Sequence, residues 1–127
     1  GFDFSFSGLK AEVMRFVKEK KLDKAITNEI CHATQKAIID VLVKKTMAAA
    51  EKYSAQTILL GGGVSANQKL HEELKNKIKD LSLNIPVLSP EKQYTTDNAA
   101  MIGAYALLDY KPIDWQKIHA IPDLYFE

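Results

Sequence analysis

The stretch TILLGGGVSANQKL, residues 57–70, decides the predicted fold. It begins with a short apolar run bounded by glycine, which is typical of a buried strand. Three consecutive glycines end that run: Gly61, Gly62 and Gly63. Because an ordered glycine costs conformational entropy, such a run indicates either a sharp turn or a ligand against bare backbone, most often a phosphate or a nucleotide.

A helix is predicted directly after the glycines. Ser65 and Gln68 have the spacing of a capping box, with the serine as N-cap. The helix is expected to reach about Leu81, and its apolar residues share one face: Leu70, Leu74 and Ile78. Its first turn offers free N–H groups that suit an anion. Asn67 in that turn is either an ordinary solvated residue or a partner for a base edge or sugar hydroxyl.

A second strand-and-helix unit follows. IPVLSP, residues 85–90, is read as a strand, and TTDNAAMIGAYALLDY, residues 95–110, as a helix capped by Thr95 or Thr96. Its apolar body is formed by Ala99, Met101, Ile102, Tyr105, Ala106 and Leu108. Alternating strands and helices predict an α/β fold, in which ligands collect where strands end and helices begin. If the two strands are neighbours, both turns open onto one crevice.

The part before residue 57 is predicted to contain a strand and two helices. GFDFSFSG, residues 1–8, alternates as a half-buried strand with its phenylalanines on one face. Helices are expected over about residues 9–20, with Leu9, Val13, Phe16 and Val17 on one side, and about 23–52, with Asp23 as N-cap. The buried stripe of the longer helix comprises Ile26, Ile30, Ala33, Ala37, Ile38, Val41 and Leu42. A short helix is predicted near Asp114.

Composition excludes several classes of protein. The 127 residues carry 17 Lys plus Arg against 16 Asp plus Glu, so the net charge of +1 gives no whole-chain indication of a nucleic-acid binder. The lysine clusters KEKKLDK and KNKIKD are interpreted as solvated faces. A single cysteine, Cys31, permits no internal disulfide and favours a reducing compartment, and no apolar run approaches the ~20 residues of a membrane span. The expected location is therefore cytoplasmic, with no membrane partner.

The residues alone leave the chemistry open. The glycines match neither a Walker sequence nor G-x-G-x-x-G. Asp97 is either an acid that stabilises a helix dipole or a metal ligand, and three protein ligands are typical of a catalytic metal. The three histidines, His32, His71 and His119, are widely spaced and match no His-x-x-x-His pattern, and His32 and His71 are interpreted as structural or solvated. A nucleophilic serine in SFSGLK is disfavoured, because this stretch fits a strand end and helix cap better.

Three motifs in order, DFSFSGLK, LLGGGVSAN and TTDNAAMIGAYA, resemble the C-terminal part of the TsaD family. These are tRNA N6-adenosine threonylcarbamoyltransferases, formerly described as O-sialoglycoprotein endopeptidases or glycoproteases. The resemblance implies the actin-like, sugar-kinase and Hsp70 ATPase (ASKHA) fold, in which a nucleotide lies between two lobes. Residues 1–127 are expected to be a single unit, the C-terminal portion of a larger two-lobed protein.

The same resemblance implies roles for individual residues. Gly61, Gly62 and Gly63 would lie against the adenosine part of threonylcarbamoyl-AMP or ATP, and Asn67 matches a substrate-binding asparagine. Asp97 matches a ligand of one divalent metal ion, iron or zinc, per full-length subunit. The two other ligands in the family are histidines of an N-terminal segment that this sequence does not contain. The chain alone is therefore expected to hold no metal tightly and to be inactive, and no catalytic residue is assigned.

The implied reaction moves a threonylcarbamoyl group from threonylcarbamoyl-AMP to N6 of the adenosine next to the anticodon in tRNA. Expected partners are tRNA, the adenylate and further subunits of a tRNA-modification complex. Three alternatives stay open: a metallopeptidase, as the older family name says, another ATPase or sugar kinase of the superfamily, and a non-catalytic assembly fragment.

Overall fold

Two short parallel strands form the only sheet among residues 1–119, the part of the chain that the computed structural model describes. Strand β1 (Ile58–Leu59) pairs with β2 (Val87–Leu88), so that Ile58 lies opposite Val87 and Leu59 opposite Leu88. Parallel strands need a long crossover, and helix α3 (Gln68–Asp80) supplies it. The mixed α/β class is confirmed, with much more helix than strand.

Three further helices complete the regular structure: α1 (Ser7–Glu19), α2 (Lys24–Lys52) and α4 (Ala99–Leu108). Asp23 caps α2 as predicted, because its carboxylate accepts a hydrogen bond of 2.8 Å from the backbone N–H of Ile26. Short 3₁₀ turns occupy Gly63–Ala66, Lys92–Tyr94 and Trp115–Lys117, the last at the helix predicted near Asp114. Among the described residues, no helix has both the length and the apolarity to cross a membrane.

The hydrophobic core lies between α2, α3 and β1. Its fully buried apolar side chains are Ile39, Val43, Met47, Ala50, Ile58, Leu70, Leu74 and Ile78. The inward face predicted for α3 is therefore confirmed, and Leu74 at its centre is only 1% exposed. Removing this much apolar surface from water is the main favourable contribution to folding of such a unit.

The stripe predicted for α2 is partly wrong. Ala33 and Val41 are exposed, whereas the fully buried residues of α2 begin at Ile39 and continue toward the C-terminal end of the helix. Apolar residues surround α2 on all sides, so its own periodicity does not select a face. The face is selected by α3, which packs against the second half of α2.

The strand predicted over residues 1–8 is also wrong. Residues 1–6 have no regular structure, and α1 already begins at Ser7. Phe2 instead packs against Tyr53 with ring centroids 5.8 Å apart, and the Lys45 ammonium donates a hydrogen bond to the Asp3 carbonyl. A period-2 pattern forms a strand only when a neighbouring strand satisfies its backbone, and no strand pairs with this segment in residues 1–119.

Helix α4 differs most from a globular helix. Nearly all its side chains are apolar, yet none is buried. Leu107 and Leu108 are both 88% exposed, and Ile102 is 64% exposed. A helix that is apolar all round is normally buried within a larger structure, and an exposed apolar patch of this kind marks an interaction surface.

The exposed surface of α4 predicts self-association of the isolated chain. Leu107→Glu combined with Leu108→Glu is expected to raise the dimer dissociation constant at least about tenfold, which corresponds to about 1.4 kcal/mol. Sedimentation equilibrium measures this constant. The control is Val17→Glu with Leu22→Glu, which adds the same charge at side chains that are 40% and 41% exposed. An equal effect of both double variants would show that added charge, and not α4, controls association.

Candidate functional site

The glycine turn, residues 61–63, begins where β1 ends. The last backbone bond of the strand pair joins the Leu60 N–H to the Leu88 carbonyl at 2.8 Å. Gly62 then adopts φ +79°, a left-handed conformation that favours glycine. Its carbonyl accepts hydrogen bonds from both the N–H and the hydroxyl of Ser65, at 3.0 and 2.6 Å. The buried Ser65 therefore fixes the shape of the turn.

The space in front of the glycine turn explains none of the three glycines. A Cβ atom added to Gly61 or Gly62 would meet no atom within 4 Å. A Cβ atom on Gly63 would lie 3.7 Å from the Thr96 methyl carbon, an ordinary contact. Backbone conformation requires glycine at position 62. Nothing in the described chain requires it at positions 61 and 63.

The predicted capping box after the turn is wrong. Ser65 belongs to the 3₁₀ turn, and its hydroxyl bonds backward to Gly62 and not forward to the helix. Asn67 is the N-cap of α3, since its side-chain oxygen accepts a hydrogen bond of 3.3 Å from the Leu70 N–H. His71 is structural, as predicted: a ring nitrogen lies 2.7 Å from the Ser65 carbonyl oxygen.

The second turn, residues 95–98, follows β2 and leads into α4. Neither threonine caps the helix, contrary to the prediction. The N-cap is Asn98, whose side-chain oxygen accepts a hydrogen bond of 3.0 Å from the Met101 N–H. Thr95 is buried, and its hydroxyl donates to the Lys92 carbonyl at 2.8 Å. Asp97 therefore precedes the helix and is not in its first turn. An asparagine directly before an apolar run was the available signal for this cap.

The two turns meet in one cleft, as the shared-crevice prediction requires. The cleft has a volume of about 530 Å³, within the ~300–1,000 Å³ typical of small-molecule sites. The residues that line it come from both turns and from the start of α4: Gly61, Gly62, Pro90, Tyr94, Thr95, Thr96, Asp97, Asn98, Ala100 and Met101. Tyr94, which the sequence reading did not single out, adds an aromatic ring that is 47% exposed.

Asn67 lies on the other side of the glycine turn. It lines a second cleft, of about 560 Å³, between the turn and helices α1 and α2. Its side-chain oxygen also accepts a hydrogen bond of 3.4 Å from the Gln35 amide. The structure thus brings the first two glycines and Asp97 together but separates them from Asn67. A ligand that contacts both Asn67 and Asp97 has to lie across the glycine turn.

Of the charged side chains near the clefts, some have partners within the described chain and others do not. The Lys69 ammonium near the start of α3 donates hydrogen bonds to the Glu73 and Glu72 carboxylates, which raise the pKa of Lys69. Asp97, in contrast, makes no hydrogen bond or salt bridge with the rest of residues 1–119. A carboxylate without internal partners suits a metal ligand. The described residues contain no group of three His, Cys, Asp or Glu side chains that could hold a metal ion.

Comparison of the amino-acid sequence with known proteins identifies relatives of this chain. The sequence model of the TsaD family, described as tRNA N6-adenosine threonylcarbamoyltransferase, matches residues 1–104. A tRNA N6-adenosine threonylcarbamoyltransferase of Moorella thermoacetica is 41% identical over 96% of this chain and 36% of the relative. A protein of the same name from Chloroherpeton thalassium is 46% identical over 84% of the chain and 30% of the relative.

A third relative with this name, from Limosilactobacillus reuteri, is 37% identical over 99% of the chain and 38% of its own length. The chain thus spans about a third of the length of the curated relatives it matches. None of these relatives is named as a peptidase or a sugar kinase. With both turns inside the matched region, the chain belongs to the TsaD family of tRNA N6-adenosine threonylcarbamoyltransferases.

Proposed function

We propose that this chain supplies part of the active site of an enzyme that transfers a threonylcarbamoyl group from threonylcarbamoyl-AMP to N6 of the adenosine next to the anticodon in tRNA. One observation carries the proposal. Open space lies in front of Gly61 and Gly62, glycine at positions 61 and 63 has no cause within the described chain, and the free Asp97 carboxylate lies in the same cleft. The relatives named above have the corresponding name.

The adenylate is proposed to lie across the glycine turn. No hydrogen bond within the described residues uses the N–H groups of Gly61, Gly62 or Gly63, so they are available to phosphate oxygens. Asn67 on one side of the turn has a side-chain NH₂ group that makes no described hydrogen bond and can donate to the nucleoside. Asp97 on the other side is then next to the acyl end. ATP would fit the same nucleotide position.

The proposed transfer is an acyl substitution. The N6 amine of adenosine attacks the carbamoyl carbon, the new N–C bond forms, and the bond from that carbon to the phosphate oxygen breaks. The proton of N6 is lost and AMP leaves with the electron pair. Negative charge grows on the leaving phosphate, and fixed backbone N–H groups of the glycine turn would stabilise it without reorganisation.

Asp97 would hold one divalent metal ion, iron or zinc, together with histidines from outside this chain. When bound, the metal would supply Lewis-acid polarisation of the acyl group. The carboxylate is free to take this role, because no described residue binds it. One carboxylate is too few for a stable site, so metal binding is expected only when the remaining ligands are present.

We also propose that residues 1–127 form one unit, the C-terminal portion of a two-lobed ASKHA fold. The exposed apolar surface of α4 supports this, since further polypeptide has to cover it. The relatives are about three times as long as the matched segment, which leaves enough chain for a second lobe. Partner subunits of a tRNA-modification complex are the other proposed contacts.

Alanine substitutions in the glycine turn separate backbone strain from ligand contact. Gly62→Ala is expected to lower the free energy of unfolding by about 1–2 kcal/mol, because φ is +79° there. Gly61→Ala should leave stability within about 0.5 kcal/mol or raise it. Urea unfolding of the chain measures both values.

The matching affinity measurement uses a chimera in which this chain replaces its matching segment in the Moorella thermoacetica relative. Gly61→Ala should weaken binding of a non-hydrolysable threonylcarbamoyl-adenylate analogue at least about tenfold, or about 1.4 kcal/mol by calorimetry. Unchanged affinity would mean that Gly61 serves only the turn, and the proposed position of the adenylate would be wrong.

Asp97 and Asn67 are tested in the same chimera. Asp97→Asn keeps the side-chain shape, and the fold should be unaffected since the carboxylate has no partner within residues 1–119. The metal content of the Asp97→Asn chimera is expected to fall. Its tRNA-modification rate is expected to fall at least about a hundredfold, by analogy with removal of one preorganised electrostatic group. A variant that keeps its metal and a near-normal rate would refute the metal role of Asp97.

Asn67→Ser in the chimera is the variant to compare with Asp97→Asn. Serine keeps an oxygen for the N-cap of α3 and removes only the NH₂ donor. It should retain the metal and weaken adenylate binding by about 0.5–1.5 kcal/mol. Asn67→Ala should in addition lower stability by about 1 kcal/mol, because the cap is lost. If Asn67→Ser binds the analogue normally, Asn67 serves only as the helix cap.

A further inference from the structure

Four lysines surround the connection between α1 and α2. This α1–α2 basic patch consists of Lys18, Lys20, Lys21 and Lys24. All four are exposed, and none forms a salt bridge within residues 1–119. The same stretch contains only two acids, Glu19 and Asp23, and the Asp23 carboxylate is engaged as the N-cap of α2. The patch therefore carries an excess of unpaired positive charge.

Folding accounts for only part of this charge: Lys18 lies in the last turn of α1, where the helix dipole favours a cation. Lys24 is the first residue of α2, where a cation opposes the helix dipole. Other lysines have a structural role: Lys36 and Lys69 pair with carboxylates, and Lys77 and Lys79 lie in the last turn of α3, where the dipole favours them. Within the patch, only Lys20 has a described side-chain contact, 5.9 Å above a phenylalanine ring. An external anionic partner would explain the remaining charge.

The patch and the candidate site are connected by helix α2. Helix α2 passes the glycine turn at Gln35, whose amide donates to Asn67 at 3.4 Å. Lys24 precedes Gln35 by eleven residues, which places it about 17 Å farther along the helix axis. The core contacts of α2 lie in the opposite direction, from Ile39 to Ala50. The patch thus lies farther along α2 than the contact with Asn67, on the side away from the core.

We infer that the α1–α2 basic patch binds the sugar-phosphate backbone of the tRNA whose adenosine enters the candidate site, an inference that rests on the proposed function. A tRNA is far larger than either cleft, so its backbone has to pass over surface near the reacting base. Lysines are mobile point charges that neutralise phosphates without reading sequence. Such contacts position the substrate, while the site itself selects the base.

The test compares two charge-matched variants of the chain. The patch variant is Lys20→Gln, Lys21→Gln and Lys24→Gln, and the control variant is Lys75→Gln, Lys77→Gln and Lys79→Gln on α3. Both lose three positive charges. Fluorescence anisotropy with labelled tRNA gives the dissociation constant over a range of salt concentrations, and circular dichroism checks the helix content of each variant.

The patch variant is expected to weaken tRNA binding at least about tenfold at ~50 mM salt. It should also reduce the slope of log K against log salt by about 2, because each lost phosphate contact removes ~0.7–0.9 from that slope. The control variant should stay within about twofold of the unmodified chain, since charge away from the contact contributes little beyond the Debye length, which is ~14 Å at this salt concentration.

Three results would overturn the inference: no tRNA binding by the unmodified chain, equal loss in both variants, or no loss in the patch variant. Vesicles of phosphatidylserine and phosphatidylcholine are the competing anionic surface. Loss of vesicle binding with unchanged tRNA binding would assign the patch to a membrane instead. Failure of the proposed function looks different, because the chimera would then lack transfer activity while patch-dependent tRNA binding persisted.

Discussion

The parallel pairing of β1 with β2 is the constraint on which the candidate site depends. With Ile58 opposite Val87, both strands end at the same edge, and the turns that follow them have to meet. The crossover helix α3 makes this pairing possible by burying Leu74 and its neighbours against α2. The separation of Gly61 from Asp97 is thus fixed by apolar packing at a distance from the cleft, and neither turn needs specific contacts to hold the other.

The sequence predicts those elements that depend on periodicity and residue type within a short stretch of chain. The spacing of Leu70, Leu74 and Ile78, the Asp23 cap and the glycine turn all follow from periodicity and residue type. Four features did not follow, the first being the cap of α4, which is Asn98 and not a threonine. Ser65 and Asn67 are both good N-cap residues, and the choice between them depends on the 3₁₀ turn that the Gly62 carbonyl anchors. Residues 1–6 needed a partner strand, and the buried face of α2 was selected by α3.

The sequence proposes the members of the candidate site but not their arrangement. Sequence motifs select the glycines, Asn67 and Asp97 as candidates, and only the coordinates show that the turn separates the asparagine from the carboxylate. That separation is informative, because an adenylate is an extended molecule with chemically distinct ends. An elongated ligand laid across bare backbone would contact both residues.

The central claim is that the glycine turn is bare because a nucleotide lies over it. NMR titration of the ¹⁵N-labelled chain with AMP tests this most directly, since it observes the backbone amides themselves. We predict that the amide signals of Gly61 and Gly63 shift together with the side-chain NH₂ signals of Asn67, which is proposed to contact the nucleoside, and that they saturate with one binding constant. Shifts confined to other parts of the chain, or no shifts at high AMP concentration, would contradict the claim and leave the glycines as a turn alone.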